Sequence, residues 1–539
     1  MQVLSQNPHP PMRRLTVLIA ISVISVFAQA PGGAHPQTDP LSSQERRGKE
    51  IYFGIAGSSP PIKALIGDPP TEAPGTLMAC ANCHGLDGKG KPEGGVVPSD
   101  ITWETLTKPY PLTNSSGRTH PRYTERLFVS AVCMGIDPAG NKLHVAMPRF
   151  QMSREDINAL IAYLKRLGRD IDPGLSESTI RIGTVLPTTG PLAEAGRAIE
   201  SILIAYIDEI NKQGGIYNRK VELSKAELGR SPAESATNVE KFINEERPFA
   251  LVAALTAGAE KEIVAACERS QVPLVGPVTV FAETGYPANR HTFYLLSGVE
   301  QQARALIHYS RQSLKGHNSR IAIVYSHEVV GDQIIEAIQR YCKQSGQEAA
   351  ITIDGQSEGF ASDSLVKKTR SADADLTLLL ASSREAELFA RTAEKAGWMP
   401  LLLIPGSLAT NELLDLRGGL AKRVFVALPS LPSDQTQAGI SEYRVLSKNY
   451  HLPKAEIVSQ ITALCSIKVL EQGLKLAGRA VTREKLVTAL EGLYDFDTGL
   501  MPRIGFGPDR RIGALGAYIV TLDSDNKQFR PVSGWLRLD

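Results

Sequence analysis

Charge of one sign is what this sequence most conspicuously lacks: 59 Lys and Arg stand against 57 Asp and Glu over 539 residues. A surface that holds nucleic acid or an anionic membrane needs a basic excess or a basic block, so no nucleic-acid partner is expected. Cysteine is scarce, with six in the whole chain, which excludes a small disulfide-framed scaffold. Beyond the N-terminal segment no apolar run reaches the roughly 20 residues that span a bilayer. The Gly-x-Gly-x-x-Gly and His-Glu-x-x-His patterns are also missing, and with them the marks of two large classes of catalyst. The chain reads as a carrier or binding protein rather than an enzyme.

What is present begins with an export pattern. Arg13 and Arg14 precede a short apolar stretch over residues 15–27, and Ala28-Gln29-Ala30 has the small-x-small form of a cleavage site, so residues 1–30 are expected to be a secretory signal peptide and the protein to be periplasmic. The apolar stretch is short and is followed by a polar, Pro-rich segment, which makes permanent anchoring the weaker reading.

The length exceeds what one hydrophobic core accommodates. Up to about residue 168 the chain is rich in Gly, Pro and polar loops between helical stretches; from Thr179 onward strands and helices alternate. Residues 168–178, with their Pro, Gly and Ser, read as an exposed connector, and the expected domains are 44–168 and 179–539, with 169–178 between them. In the second region, apolar runs rich in β-branched residues and leucine (IRIGTVLP, FALVAAL, VPLVGPV, RIAIVYS, DLTLLLAS and PLLLIPG) alternate with amphipathic segments such as RAIESILIAYIDEINKQ and REAELFARTAEKAG. Continuous apolar strands alternating with helices predict parallel sheets covered on both faces, in a region long enough for two lobes.

The cysteines separate into one close pair and four singles. Cys267, Cys342 and Cys465 lie in apolar helical patterns and are expected to be core thiols. Cys80 and Cys83 belong to Cys-Ala-Asn-Cys-His, the haem c attachment pattern. Two thiols must reach the two vinyl groups on one edge of the macrocycle, with an imidazole beneath the iron, and this spacing meets both demands. Zinc would want a second pair of ligands at suitable spacing, and a thioredoxin-like site would sit at a strand-to-helix turn rather than in a Gly-rich loop. One covalent haem c on Cys80 and Cys83 is expected, with His84 as proximal ligand. For the distal position Met147, followed by Pro148 and a helix, leads; His144, His120, Met134 and a Cys133 thiolate are the rivals.

With helix ERRGKEIYFGIA first, then ACANCHGLDGKG, GIDPAGNKLHVAMPRF and the closing helix SREDINALIAYLKRL, residues 44–168 resemble the class I monohaem cytochromes c. The resemblance implies an all-α fold around the haem, His84 and Met147 on the iron, and one-electron exchange with a redox partner protein. The insertion SSPPIKALIGDPPTEAPGT is longer and richer in proline than the simplest members carry.

The second region resembles the type I periplasmic solute-binding proteins of the Leu/Ile/Val receptor group. The resemblance rests on IRIGTVLPTTGPLAEAGR, INKQGGIYNRKVEL, VPLVGPVTVFAET, LLASSREAELFARTAEKAGWMPLLLIPGS and GFGPDRRIGALGAYIVTL, in that order. It implies two α/β lobes closing on a small-molecule solute, with an ABC importer as a further partner. Loop hydroxyls and amides at strand ends suit a ligand carboxylate, which points to Thr256, Ala257 and Gly258 with Thr279 opposite; Thr256 as a simple helix cap is the plainer alternative. Two departures weaken the amino acid assignment. Val330 stands where such receptors carry an aromatic contact, and the acidic partner of a ligand ammonium is not singled out among Asp354, Glu358 and Asp363. Small carboxylates, amides and urea-like solutes are therefore also compatible. Electron transfer comes first among the expected functions, coupled to solute binding, with an importer's binding protein bearing an added haem domain as the alternative.

Overall fold

Helix Ser43–Phe53 opens on a reciprocal cap: Ser42 Oγ accepts from the Glu45 N–H at 3.2 Å, and Glu45 Oε2 accepts from the Ser42 N–H at 2.8 Å. It crosses the closing helix, Arg154–Leu164, at Gly48, where a Cβ would stand 2.0 Å from the Ala159 carbonyl oxygen. Glycine therefore sets how closely the two helices approach, and the Arg47–Asp156 ion pair at 2.8 Å holds their register. The computed structural model from which these features come describes residues 41–539 except 55–60, 86, 91–94, 115–116, 169–171, 177, 284–288, 315–318, 348, 410, 417, 480 and 539. The signal peptide expected at 1–30 lies outside the described residues. No helix among them is long and apolar enough to cross a membrane.

The expectation of an all-α first module needs correction. Lys63–Ile66 pairs antiparallel with Thr71–Pro74 on one side and with Arg149–Gln151 on the other, and Leu112–Thr113 pairs with Thr119–His120. The cause is the Pro-rich insertion. Pro61, Pro69, Pro70 and Pro74 lack the N–H that a helix uses, and Gly67, at φ 90°, helps turn the chain back as a hairpin. The helices Cys80–His84, Trp103–Leu106 and Glu125–Met134 complete the module around a core that includes Tyr52, Phe128, Phe150 and Leu160.

The connector also differs from the exposed segment expected. Asp172 is only 5% exposed, Leu175 bridges to Ile180, and the Arg181 N–H donates to the Gly174 carbonyl at 2.7 Å. Asp172 accepts from the Lys49 ammonium at 3.3 Å and from the Arg483 backbone N–H at 2.6 Å, while Lys49 also lies 3.3 Å from Glu484. The Arg483 guanidinium is spent on the carbonyls of Pro248, Phe249 and Ser270. Lys49 and Glu484 belong to different modules, so this buried charge group joins the first module to the second.

The second region forms two sheets. In the first lobe all strands are parallel, in the order Ile512–Ala514, Thr292–Leu296, Leu274–Val275, Ala250–Val252, Thr179–Leu186, Lys220–Glu227. In the second lobe Ala349–Asp354, Ile321–Tyr325, Leu376–Leu380, Leu401–Pro405 and Val424–Leu428 are parallel, and Gly516–Asp523 and Gln528–Arg537 add two antiparallel strands. Every apolar run expected to be a strand is one. Helices Ile457–Ala477 and Arg483–Glu491 return to the first lobe and pack on its core through Leu464, Leu470 and Leu486.

The chain crosses between lobes three times, after Leu296, after Leu428 and after Ala514. At two of these crossings the Ser297 hydroxyl donates to the Ala514 carbonyl at 3.1 Å and accepts from the Gly516 N–H at 2.9 Å, tying adjacent hinge strands together. Cys267, Cys342 and Cys465 are buried in these lobes as single thiols.

Candidate functional site

Cys80 and Cys83 lie one turn apart on the short helix Cys80–His84, and both thiols and the His84 ring line a cavity of about 780 Å³. Spacing of three residues puts side chains on one helical face. His84 is buried, and its Nδ1 lies 2.9 Å from the Ser99 carbonyl oxygen. A carbonyl only accepts, so Nδ1 carries the proton and Nε2 keeps the lone pair a metal needs. Burial holds the imidazole pKa below its ordinary value and so favours this neutral form. The cavity walls are Ile101, Leu106, Tyr123, Phe128, Val132 and Leu160, with Tyr52 below, whose hydroxyl donates to the Gly85 carbonyl at 2.6 Å.

An apolar slot with two thiols and one buried, neutral imidazole at its edge fits a covalently attached haem. Among the described residues no group of three or more His, Cys, Asp or Glu is arranged to hold a metal ion, so the thiol pair has no further donors of the kind zinc uses.

Three distal candidates line the cavity: His120, His144 and Met147. His144 is exposed, and its Nδ1 accepts from the Ala146 N–H at 3.2 Å. His120 is buried and donates from Nδ1 to the Pro121 carbonyl at 2.8 Å, leaving Nε2 with its lone pair. The Met147 loop is fixed by Arg149, which donates to the carbonyls of Met147 and Leu143. Arg149 is itself the first residue of the strand Arg149–Gln151 that pairs with the Pro-rich hairpin. The insertion thus buttresses the loop that presents Met147. Met134 is 61% exposed, and neither it nor the partly buried Cys133 lines the cavity.

A second cavity, of about 960 Å³, opens between the lobes, with Gly258, Glu260 and Glu283 on one side and Glu300, Arg304 and Asp332 on the other. The structure brings Thr256, Gly258 and Thr279 together, but around a group that the chain supplies. Glu260 Oε1 accepts from Thr256 Oγ1 at 2.9 Å, from the Gly258 N–H at 3.2 Å and from Thr279 Oγ1 at 3.0 Å. Of the residues expected to meet a ligand, only Gly258 lines the cavity; Thr256 is fully buried, and Ala257, at φ 40°, forms the turn into the helix without facing the cleft. The plainer reading of Thr256 as a cap also fails, because the helix Glu260–Arg269 begins at Ala259 with no side-chain cap.

Val330 is buried in the second lobe's core, and its neighbours Val329 and Gly331 face the cleft instead. Asp354 caps a short helix through the Gln356 N–H, Glu358 pairs with Lys368 at 3.1 Å, and neither these two nor Asp363 lines the cleft.

Comparison with known proteins accords with both halves. Residues 179–527 match the periplasmic binding protein family and residues 76–168 match cytochrome c. The chain belongs to the periplasmic binding protein family and carries a cytochrome c domain ahead of that module. It is 23% identical over 328 residues to a Leu/Ile/Val-binding protein of Rhizobium johnstonii, covering 60% of this chain and 87% of that one. A leucine-, isoleucine-, valine-, threonine- and alanine-binding protein of Pseudomonas aeruginosa is 20% identical, over 60% of this chain and 86% of that one. Two solved structures share the fold of the second region. A branched-chain amino acid ABC transporter protein from Thermus thermophilus with bound valine has a TM-score of 0.54 at 16% identity, covering 68% of this chain and 98% of that one. A fatty acid ABC transporter substrate-binding protein from Thermomonospora curvata has a TM-score of 0.53 at 19% identity, covering 68% and 95%.

Proposed function

We propose that the protein is an exported one-electron carrier whose haem domain, about residues 44–168, is joined to a solute-binding module, about residues 179–539. The observation that carries this reading is the apolar cavity with Cys80, Cys83 and a neutral, Ser99-oriented His84 at its edge. One haem held there supplies reversible one-electron exchange with a redox partner protein in the periplasm. Cys80 and Cys83 would anchor it, His84 would be the proximal ligand, and Met147, on the loop fixed by Arg149, the distal ligand. If His84 and Met147 both held the iron, no place for substrate would remain on it, which favours a carrier over a catalyst.

The second module takes a small solute between its lobes. Its relatives are named for aliphatic amino acids and one solved neighbour for a fatty acid, so the fold leaves the solute class to the cleft's own residues. Because these neighbours are ABC transporter proteins, the second reading is an importer's binding protein with a haem domain added.

The test is expression of the full chain in an exporting host that matures c-type cytochromes, followed by a haem stain on a denaturing gel and a potentiometric titration. A haem that survives denaturation and titrates as a single one-electron couple is expected. Haem lost on denaturation would sink the reading.

A further inference from the structure

The polar groups at the strand ends of the first lobe are already used. A threonine hydroxyl has one proton to give and a backbone amide one. The protons of Thr256 Oγ1, Gly258 N and Thr279 Oγ1 all go to Glu260 Oε1, at 2.9, 3.2 and 3.0 Å. Thr279 is fixed further, since its oxygen accepts from the Phe281 N–H at 3.0 Å. Glu260 is 9% exposed and Thr256 is fully buried, while Thr279 is half-buried and Gly258 lies at the cleft edge. Three convergent donors are what a bound carboxylate requires, and here the chain provides the carboxylate.

The rest of the cleft points the same way. Five carboxylates line it, Glu260, Glu262, Glu283, Glu300 and Asp332, against the cations Lys261, Arg304 and Arg340. Arg304 is ion-paired with Glu300, which leaves the cavity with an acidic excess. Burial raises the Glu283 pKa, and the negative charges of Glu260 and Glu300 add to the effect, whereas Lys261 and Asn289 oppose it. A cation placed among these groups relieves their repulsion. An incoming carboxylate would meet donors with no proton left and a like charge beside them. Phe281, Val329, Ile334 and Ala337 supply apolar wall for a hydrocarbon part.

We propose that Glu260 determines the specificity of this cleft, its side chain occupying the carboxylate subsite so that the cleft takes small organic amines and refuses free α-amino acids. The inference rests on the reading of the second module as a solute-binding module. It identifies the class of solute at that same site.

The test uses the full haem-loaded chain and three matched pairs that differ only in the carboxylate: alanine and ethylamine, leucine and 3-methylbutylamine, phenylalanine and 2-phenylethylamine, each titrated calorimetrically. The wild-type protein is expected to bind at least one amine and to bind its amino acid at least tenfold more weakly. Glu260→Ala frees the three donors, and the preference should reverse, with at least a tenfold gain for the amino acid. Glu260→Gln keeps an acceptor oxygen for the same donors without the charge. This variant should still refuse the amino acid and lose affinity for the amine, which covers the case in which the alanine variant fails to fold. An amino acid bound by wild type as tightly as its amine, with no gain in either variant, would overturn the role of Glu260 while leaving solute binding intact. Silence from all six probes in wild type and both variants would overturn the solute-binding reading itself, and this inference with it.

Discussion

The two cavities of this chain are alike in size, about 780 and 960 Å³, and opposite in chemistry. In the crevice lined by Cys80, Cys83 and His84, side-chain polar atoms are committed to backbone carbonyls, His84 to Ser99 and Tyr52 to Gly85, while Arg149 behind the wall holds the Met147 carbonyl. The atoms needed by the cofactor, two sulfurs and one imidazole nitrogen, are left uncommitted. In the interlobe cleft the polar atoms turn toward one another, and Glu260 collects the donors. A group installed once and for good is served by residues oriented through their other ends. A solute that comes and goes is served by groups that satisfy one another in its absence, because buried polar atoms left unpaired would be costly.

The contrast can be broken or sharpened by substitution. The largest effect is expected from replacing Cys80 and Cys83 together with serine: covalent haem should vanish completely from a denaturing gel, and a retained haem stain would contradict the assignment. Next, Met147→Ala should remove the long-wavelength Met-to-iron charge-transfer band and lower the reduction potential, with His120→Ala leaving both in place; the opposite pattern would make His120 the distal ligand. At the junction between the modules, Asp172→Ala leaves Lys49 with one partner fewer in a buried setting and should cost about 3–5 kcal/mol. Calorimetry should then resolve two unfolding transitions, and an unchanged profile would show that the modules are joined by other means. Ser297→Ala removes a hydroxyl bonded to two hinge strands and should cost about 1 kcal/mol in urea unfolding, with no loss of haem. Smallest of all, Asp354→Asn and Glu358→Gln should leave solute affinity unchanged, since both side chains are used in local caps and pairs; a change in affinity would move the ligand's ammonium partner to the second lobe.

The cytochrome c domain is legible in the sequence because thioether chemistry demands a Cys80, Cys83 and His84 spacing within a single helical turn. The lobes are legible for a similar reason: a buried parallel strand must be apolar throughout, and runs such as LTLLL in Leu376–Leu380 have few alternatives. What escapes is whatever depends on distant partners or on backbone atoms. Ser99 orients His84 through a carbonyl that any residue would supply. The hairpin Lys63–Ile66 with Thr71–Pro74 becomes part of a sheet only when Arg149–Gln151 arrives from far along the chain. Asp172 reads as linker because its partners, Lys49 and Arg483, lie 123 residues before it and 311 after it. Glu260 is the instructive case, since its signal was local. An acid four residues after Thr256 at a helix start can fold back onto that hydroxyl, and reading the loop for donors alone hides the acceptor beside them.

Lys49 and Tyr52 stand on the same turn of the opening helix. The ammonium of one grips Asp172 and Glu484, and the hydroxyl of the other holds the carbonyl next to His84. In mechanical terms the His84 end of the crevice is bolted to one jaw of a two-jawed clamp through a linkage a single helical turn long. Crevice and first lobe are thereby one piece, so any relative movement of the lobes would carry the second lobe toward or away from the crevice.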